Sequence, residues 1–225
     1  MQQRTLGTLG PKVSLLGLGC NNFGLRIDRE ASRAVIHKAL DLGITLFDTA
    51  DVYGNRGSSE TFLGEFLGDR RKDIVLASKF GSAMDDAGTM KGGSRRYIMA
   101  AVDASLKRLK TDWIDLYQLH RFDSATPLEE TLRALDDLVK AGKVRFIGTS
   151  QTAAWQLTDM QWTARHNGLS PVVSAMTEYS LLARDAEREL VPAMHACGVG
   201  LLPFYPLASG FLTGGTEFSL LVTAF

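Results

Sequence analysis

Seven short apolar, β-rich runs punctuate the chain: Val13–Leu18, Ile44–Thr49, Ile74–Lys79, Trp113–His120, Val144–Ser150, Val172–Met176 and Val199–Phe204. Most are apolar on successive residues rather than alternating, the pattern of parallel strands covered on both faces. Their centres lie roughly 27 to 40 residues apart, the length of a strand plus a crossover helix.

Between the runs the period changes to that of amphipathic helices with readable ends. Asp28 is placed to cap a helix whose apolar face carries Ala31, Val35, Ile36, Ala39 and Leu40, stopped by Gly43. Ser94 opens another, with Ile98, Val102, Leu106 and Leu109 at helical spacing. Thr126-Pro127-Leu128-Glu129 has capping-box spacing with proline at the first helical position, ahead of Leu132, Leu135 and Val139. Helices are also expected over Thr152–His166 and Asp185–Cys197, the second kinked at Pro192.

Strand and helix thus alternate without a break in composition, which predicts one α/β domain with a parallel sheet. Two architectures use this rhythm: the open doubly wound sheet and the closed (β/α)8 barrel. The first strand–turn reads Gly17-Leu18-Gly19-Cys20-Asn21-Asn22, without the third glycine of a dinucleotide fingerprint, and no phosphate-binding P-loop is present. The barrel is therefore preferred. The leading Arg4–Lys12 stretch, with turn signals at Gly7 and Gly10-Pro11, is expected to form a hairpin across the barrel bottom.

Composition narrows the function classes. Twenty-five basic and 25 acidic residues leave a formal net charge of zero, which argues against a nucleic-acid binder relying on long-range attraction to phosphate. Cys20 and Cys197 are far apart in sequence and in no metal-like spacing, as suits a reducing compartment. The N-terminus lacks an apolar signal core, and no apolar run is long enough to span a bilayer, so a cytoplasmic protein without membrane partners is expected.

In a barrel, reactive groups belong at the C-terminal ends of strands. Those ends supply Asp48 and then Tyr53 after the second run, Lys79 after the third and His120 after the fourth. Singly, each has an ordinary explanation: an ion pair for Asp48 or Lys79, packing for Tyr53, a satisfied rim histidine for His120. Together, at successive strand ends, they suit proton donation to a carbonyl. A tyrosine is a weak acid near pKa 10, and a neighbouring ammonium favours its phenolate. Asp48 would keep Lys79 charged and oriented, while His120 would hydrogen-bond the substrate oxygen. Hydride would then have to come from a cofactor. His37, His166 and His195 fall on predicted helices and are read as structural. Arg70-Arg71-Lys72 is read as a solvated loop, and Asp85–Gly93 as a polar connection near the substrate rim.

Phe47-Asp48-Thr49-Ala50-Asp51-Val52-Tyr53-Gly54 resembles the aldo-keto reductase signature, and Ser78-Lys79 and Asp115–His120 resemble its lysine and histidine segments. The resemblance runs from about residue 4 to 214. It implies a (β/α)8 barrel and NAD(P)H-dependent reduction of an aldehyde or ketone, usually with NADPH, although NAD also occurs. It makes Tyr53 the proton donor and Asp48, Lys79 and His120 its catalytic partners. Gly148-Thr149-Ser150-Gln151 is similar to the segment holding the nicotinamide carboxamide, with Gln151 in place of asparagine. Met176 stands where the family usually has glutamine. Phe204, with Tyr205 second, corresponds to the aromatic that stacks on nicotinamide, and Leu207, Ser209, Gly210, Leu212 and Thr213 to the following pyrophosphate loop. The same barrel resembles the β-subunits of potassium channels, so a non-catalytic regulatory module is the alternative, and an inactive fragment a third. The resemblance stops after Gly214, where the family continues to an eighth strand, further helices and the residues for the adenosine end. An incomplete, truncated barrel of about seven strands is therefore expected, with residues 215–225 as an unmatched apolar tail whose uncharged end, Phe218–Phe225, either patches part of the gap or is an aggregation hazard. The carbonyl substrate and the oligomeric state stay open.

Overall fold

In the computed structural model, residues 1–214 are described. Their main element is a seven-stranded parallel sheet in which spatial order equals chain order: β3 (Gly17–Gly19), β4 (Leu46–Asp48), β5 (Val75–Phe80), β6 (Ile114–Leu119), β7 (Val144–Ser150), β8 (Val172–Glu178) and β9 (Gly200–Phe204). Helices α1 (Arg29–Asp41), α2 (Tyr53–Phe66), α3 (Arg95–Leu109), α4 (Leu128–Lys140), α5 (Ala154–His166) and α6 (Leu190–Cys197) connect successive strands. The sheet curls into most of a (β/α)8 barrel, with β3 and β9 as its terminal strands, as the sequence predicts. The expected tail, 215–225, lies outside the described residues.

Alternation along each strand divides the core in two. Outward residues such as Phe47, Leu76, Phe80, Tyr117 and Ile147 join Ile36, Leu63, Ile98, Leu135 and Leu157 of the helices in one apolar layer. Inward residues Leu46, Ala77, Leu116, Val173, Met176 and Leu202 form a second, smaller core inside the curl. Each fully buried Leu or Ile in either layer contributes about 1.5–3 kcal/mol of transfer free energy.

The first predicted run is divided between two sheets. Lys12–Ser14 (β2) pairs antiparallel with Gln3–Thr5 (β1), and only Gly17–Gly19 enters the barrel. The anticipated hairpin is thus present, and it closes the bottom: Leu6 and Val13 join the inner core. Gly7 allows the contact, because a Cβ there would lie 2.5 Å from the Gly198 carbonyl oxygen.

Other boundaries moved for local reasons. Asp28 and Ser94 cap α1 and α3 as read, their side chains accepting from Ala31 N (2.8 Å) and Tyr97 N (3.4 Å). The Thr126 capping box does not form: its hydroxyl donates to Asp123 (2.7 Å), and the helix starts one residue later, after Pro127. Pro192 does not kink a long helix. The segment breaks into a 3-10 turn (Asp185–Glu187) and α6, whose first turn holds Pro192, where no intrahelical donor is required. Helix α2 carries no clear periodic signal. Gly54, Asn55, Arg56 and Gly57 all have positive φ, so regular helix begins only at Ser58. Arg71 is also not solvated. It is buried, pairs with Asp115 (2.8 Å), donates to the Trp113 carbonyl (2.7 Å) and stacks on the Trp113 ring.

Candidate active site

On β4, β5 and β6 the inward positions are apolar at the bottom of the strand and polar at the top. On β4 the sequence Leu46, Phe47, Asp48 runs in, out, in; on β6 the same parity turns Leu116 and Gln118 inward, and on β5 Ala77 and Lys79. Above them, at the C-terminal strand ends, lies a cavity of about 310 Å³. Gly19, Cys20 and Asn21 line it from β3, Asp48 and Tyr53 from β4, and His120 and Arg121 from β6. Ser150, Gln151, Met176, Phe204 and Tyr205 complete the wall.

Lys79 is the hub. Its side chain is fully buried, and its ammonium donates to Asp48 Oδ2 (2.5 Å), the Thr49 carbonyl (2.9 Å) and the Tyr53 hydroxyl (3.3 Å). All three N–H donors are therefore satisfied. The other carboxylate oxygen, Asp48 Oδ1, accepts from Gln118 Nε2 at 3.0 Å. Burial works to lower the Lys79 pKa, but Asp48 and Tyr53 outweigh it and hold the ammonium charged.

Tyr53 and His120 meet edge to face, ring centroids 5.6 Å apart. Sequence reasoning expects Lys79 to bring the phenol below its usual pKa. Lys79 does act in that direction, yet burial of the hydroxyl is the larger effect and the net displacement is upward. The phenol is accordingly protonated at neutral pH. His120 is pushed down to about 3, first by burial and then by Lys79 and Arg121, so its imidazole is neutral. Its Nδ1 lies 3.2 Å from Ser82 Oγ, which fixes the ring.

The predicted residues divide into three groups. Asp48, Tyr53, His120, Ser150, Gln151, Phe204 and Tyr205 share the cavity wall, with Lys79 directly behind it. Gln151 and Tyr205 do so with positive φ (51° and 52°), a backbone state non-glycine residues adopt at a cost and mainly at functional sites. Leu207, Ser209, Gly210, Leu212 and Thr213 lie on or next to a 3-10 segment after β9 (Ala208–Thr213), and none of them lines the cavity. His37, His166 and His195 are on helices, as read.

Cys20, Asn21 and Arg121 were missed, although each sits within two residues of a strand end, and the same rule would have found them. Gln118 was missed for a different reason: it lies inside a strand, and only its parity with Leu116 marks it as inward. Among the described residues no His, Cys, Asp and Glu cluster could hold a metal ion, and no helix is long and apolar enough to cross a membrane.

Known proteins resemble this chain over most of its length. The aldo/keto reductase family profile matches residues 15–221. An uncharacterized oxidoreductase, YrpG of Bacillus subtilis (strain 168), is 39% identical over 224 residues, covering 95% of this chain and 69% of its own. Versiconal hemiacetal acetate reductase of Aspergillus parasiticus is 38% identical over 238 residues, covering 94% and 69%. That family reduces carbonyl compounds and generally uses nicotinamide cofactors. With the incomplete parallel barrel and the profile match in agreement, the chain belongs to the aldo/keto reductase family and is an oxidoreductase.

Proposed function

We propose that the chain reduces an aldehyde or ketone to an alcohol with NADPH, Tyr53 donating the proton. The observation that carries this reading is the chain of hydrogen bonds from Asp48 through Lys79 to the Tyr53 hydroxyl at the cavity wall. A phenol beside a fixed ammonium loses its proton to a developing alkoxide more readily than a phenol alone, because the phenolate left behind is stabilised. Asp48 keeps that ammonium from rotating away or shedding its proton. The neutral His120, steadied through Nδ1 by Ser82, is available to donate from Nε2 to the substrate oxygen.

The donor set fits a nicotinamide. Ser150 and Gln151 offer a hydroxyl and a carboxamide on one side of the cavity, and Phe204 an aromatic face near the end of β9. The chemistry such a group supplies when bound is hydride. Met176, with a thioether only, adds packing rather than amide hydrogen bonds.

The test is NADPH oxidation, followed at 340 nm after addition of an aromatic aldehyde, in the native protein and in Tyr53→Phe. The substitution is expected to lower the rate by about 10²–10⁴-fold, with NADPH binding, read by fluorescence titration, retained. Equal rates in the two proteins would sink the assignment of Tyr53.

A further inference from the structure

Asp48 is held from both sides, and only one side belongs to the groups assigned so far. Lys79 takes Oδ2 at 2.5 Å; Gln118 Nε2 donates to Oδ1 at 3.0 Å. Lys79 and Gln118 are direct register partners on β5 and β6, and both turn inward. Their side chains thus run parallel at one level of the barrel and converge on the same carboxylate from the strand before. All three side chains are buried, and the amide is the donor that meets the second carboxylate oxygen.

The next position in register is Gly148 on β7. An ideal Cβ there would lie 3.1 Å from Gln118 Cγ and 2.4 Å from Ser174 Oγ, so the missing side chain leaves the room in which Gln118 lies. Among the described residues its Oε1 has no partner, and the Nε2–Asp48 contact directs the amide.

From this geometry we propose that Gln118 is a positioning residue, acting through Asp48 to hold the Lys79 ammonium charged and aimed at the Tyr53 hydroxyl. The inference rests on the roles given above to Asp48, Lys79 and Tyr53. The physical reason is competition for a proton. A buried carboxylate with one oxygen unsatisfied is a stronger base, and the nearest proton is on Lys79. The amide donor stabilises the anion, so the pair stays ionic and the positive charge stays beside Tyr53. The charged or titratable groups that face this network are Asp48 from β4, Lys79 from β5, Tyr53 beyond β4, Cys20 beyond β3, His120 beyond β6 and Tyr205 beyond β9.

The experiment compares the native chain with Gln118→Leu and Gln118→Met, which keep bulk and remove the donor, and with Gln118→Glu. Tyrosine labelled at Cζ reports each phenol by NMR, and Tyr53→Phe assigns the Tyr53 signal. The donor-free variants are expected to titrate Tyr53 about half a unit or more higher than native. In turnover they are expected to lose about ten- to a hundredfold in kcat with KM within threefold. In Gln118→Glu the introduced carboxyl donates only when protonated, so kcat should fall with rising pH through a limb the native profile lacks. Recovery at low pH is then rescue by a near-isosteric donor, which a merely structural role would not produce. If Leu or Met prevents folding, the Glu variant's profile decides alone. An unchanged Tyr53 titration in a folded donor-free variant, or a Glu variant with the native pH profile, overturns the proposal. A native chain that turns over no aldehyde refutes the reading of Tyr53 instead, while the NMR titration still reports on Gln118.

Discussion

Replacing Lys79 by Met tests the electrostatic account directly, because it deletes the cation and leaves its partners in place. The ammonium has no exposed surface and satisfies Asp48 Oδ2, the Thr49 carbonyl and the Tyr53 hydroxyl. Removing one member of a buried ion pair costs about 3–5 kcal/mol, since the remaining charge has neither water nor partner. Asp48 would retain only Gln118. Burial already raises its pKa against the pull of Lys79, and losing Lys79 removes the largest opposing influence. The carboxyl therefore takes up a proton on folding, which sets the sign. An acid whose folded pKa is raised binds more protons native than unfolded, so stability falls as pH rises from the unfolded pKa toward the folded one. The stability gap between variant and native is expected to be widest near pH 8. It should narrow by up to about 1.4 kcal/mol per unit on acidification toward pH 4. Urea melts at pH 5, 6, 7 and 8 measure the gap. Adding Asp48→Asn removes the buried charge and should abolish the pH dependence of the loss. A gap of equal size at pH 5 and pH 8 would refute the reasoning, because Asp48 would then be ionised in the variant.

Two further outcomes follow from other parts of the site. His120, held neutral down to about pH 3, binds fewer protons folded than unfolded, so its contribution is present above about 6.5 and is lost as pH falls toward 3. Imidazole ¹⁵N spectra should show it neutral at pH 5, and His120→Gln should lessen the acid loss of stability; a His120 that titrates near 6.5 contradicts this. Gly148→Ala is expected to destabilise by about 1–3 kcal/mol through overpacking against Ser174 Oγ. Most of that loss should return in a Ser174→Ala background, and a thermal melt of the double variant no better than that of the single one would count against this contact.

The alternation of strand and helix was legible because it follows from short-range rules: apolar runs bury both faces of a parallel strand, and Asp28 and Ser94 start helices by local hydrogen bonds. Failures came where several local choices had similar cost. Thr126 gave its hydroxyl to Asp123 rather than to the helix, and the first apolar run was cut by a hairpin that found its partners inside the barrel. Helix α2 had no readable face, since four positive-φ residues precede its regular part.

For the site, the sequence alone determined which residue types stand at the strand ends, and Asp48, Tyr53, Lys79 and His120 do converge. It could not determine the balance of forces among them. That Lys79 spends all three donors, that burial outweighs its pull on Tyr53, and that Arg71 is a buried partner of Asp115 are long-range facts. The role of Gln118 belongs with them: its sequence position is an unremarkable strand interior, and only the curl of the sheet brings its amide to Asp48, 70 residues away. Periodicity is written in neighbouring residues, whereas desolvation and pairing depend on which distant groups the tertiary fold brings into the same dry space.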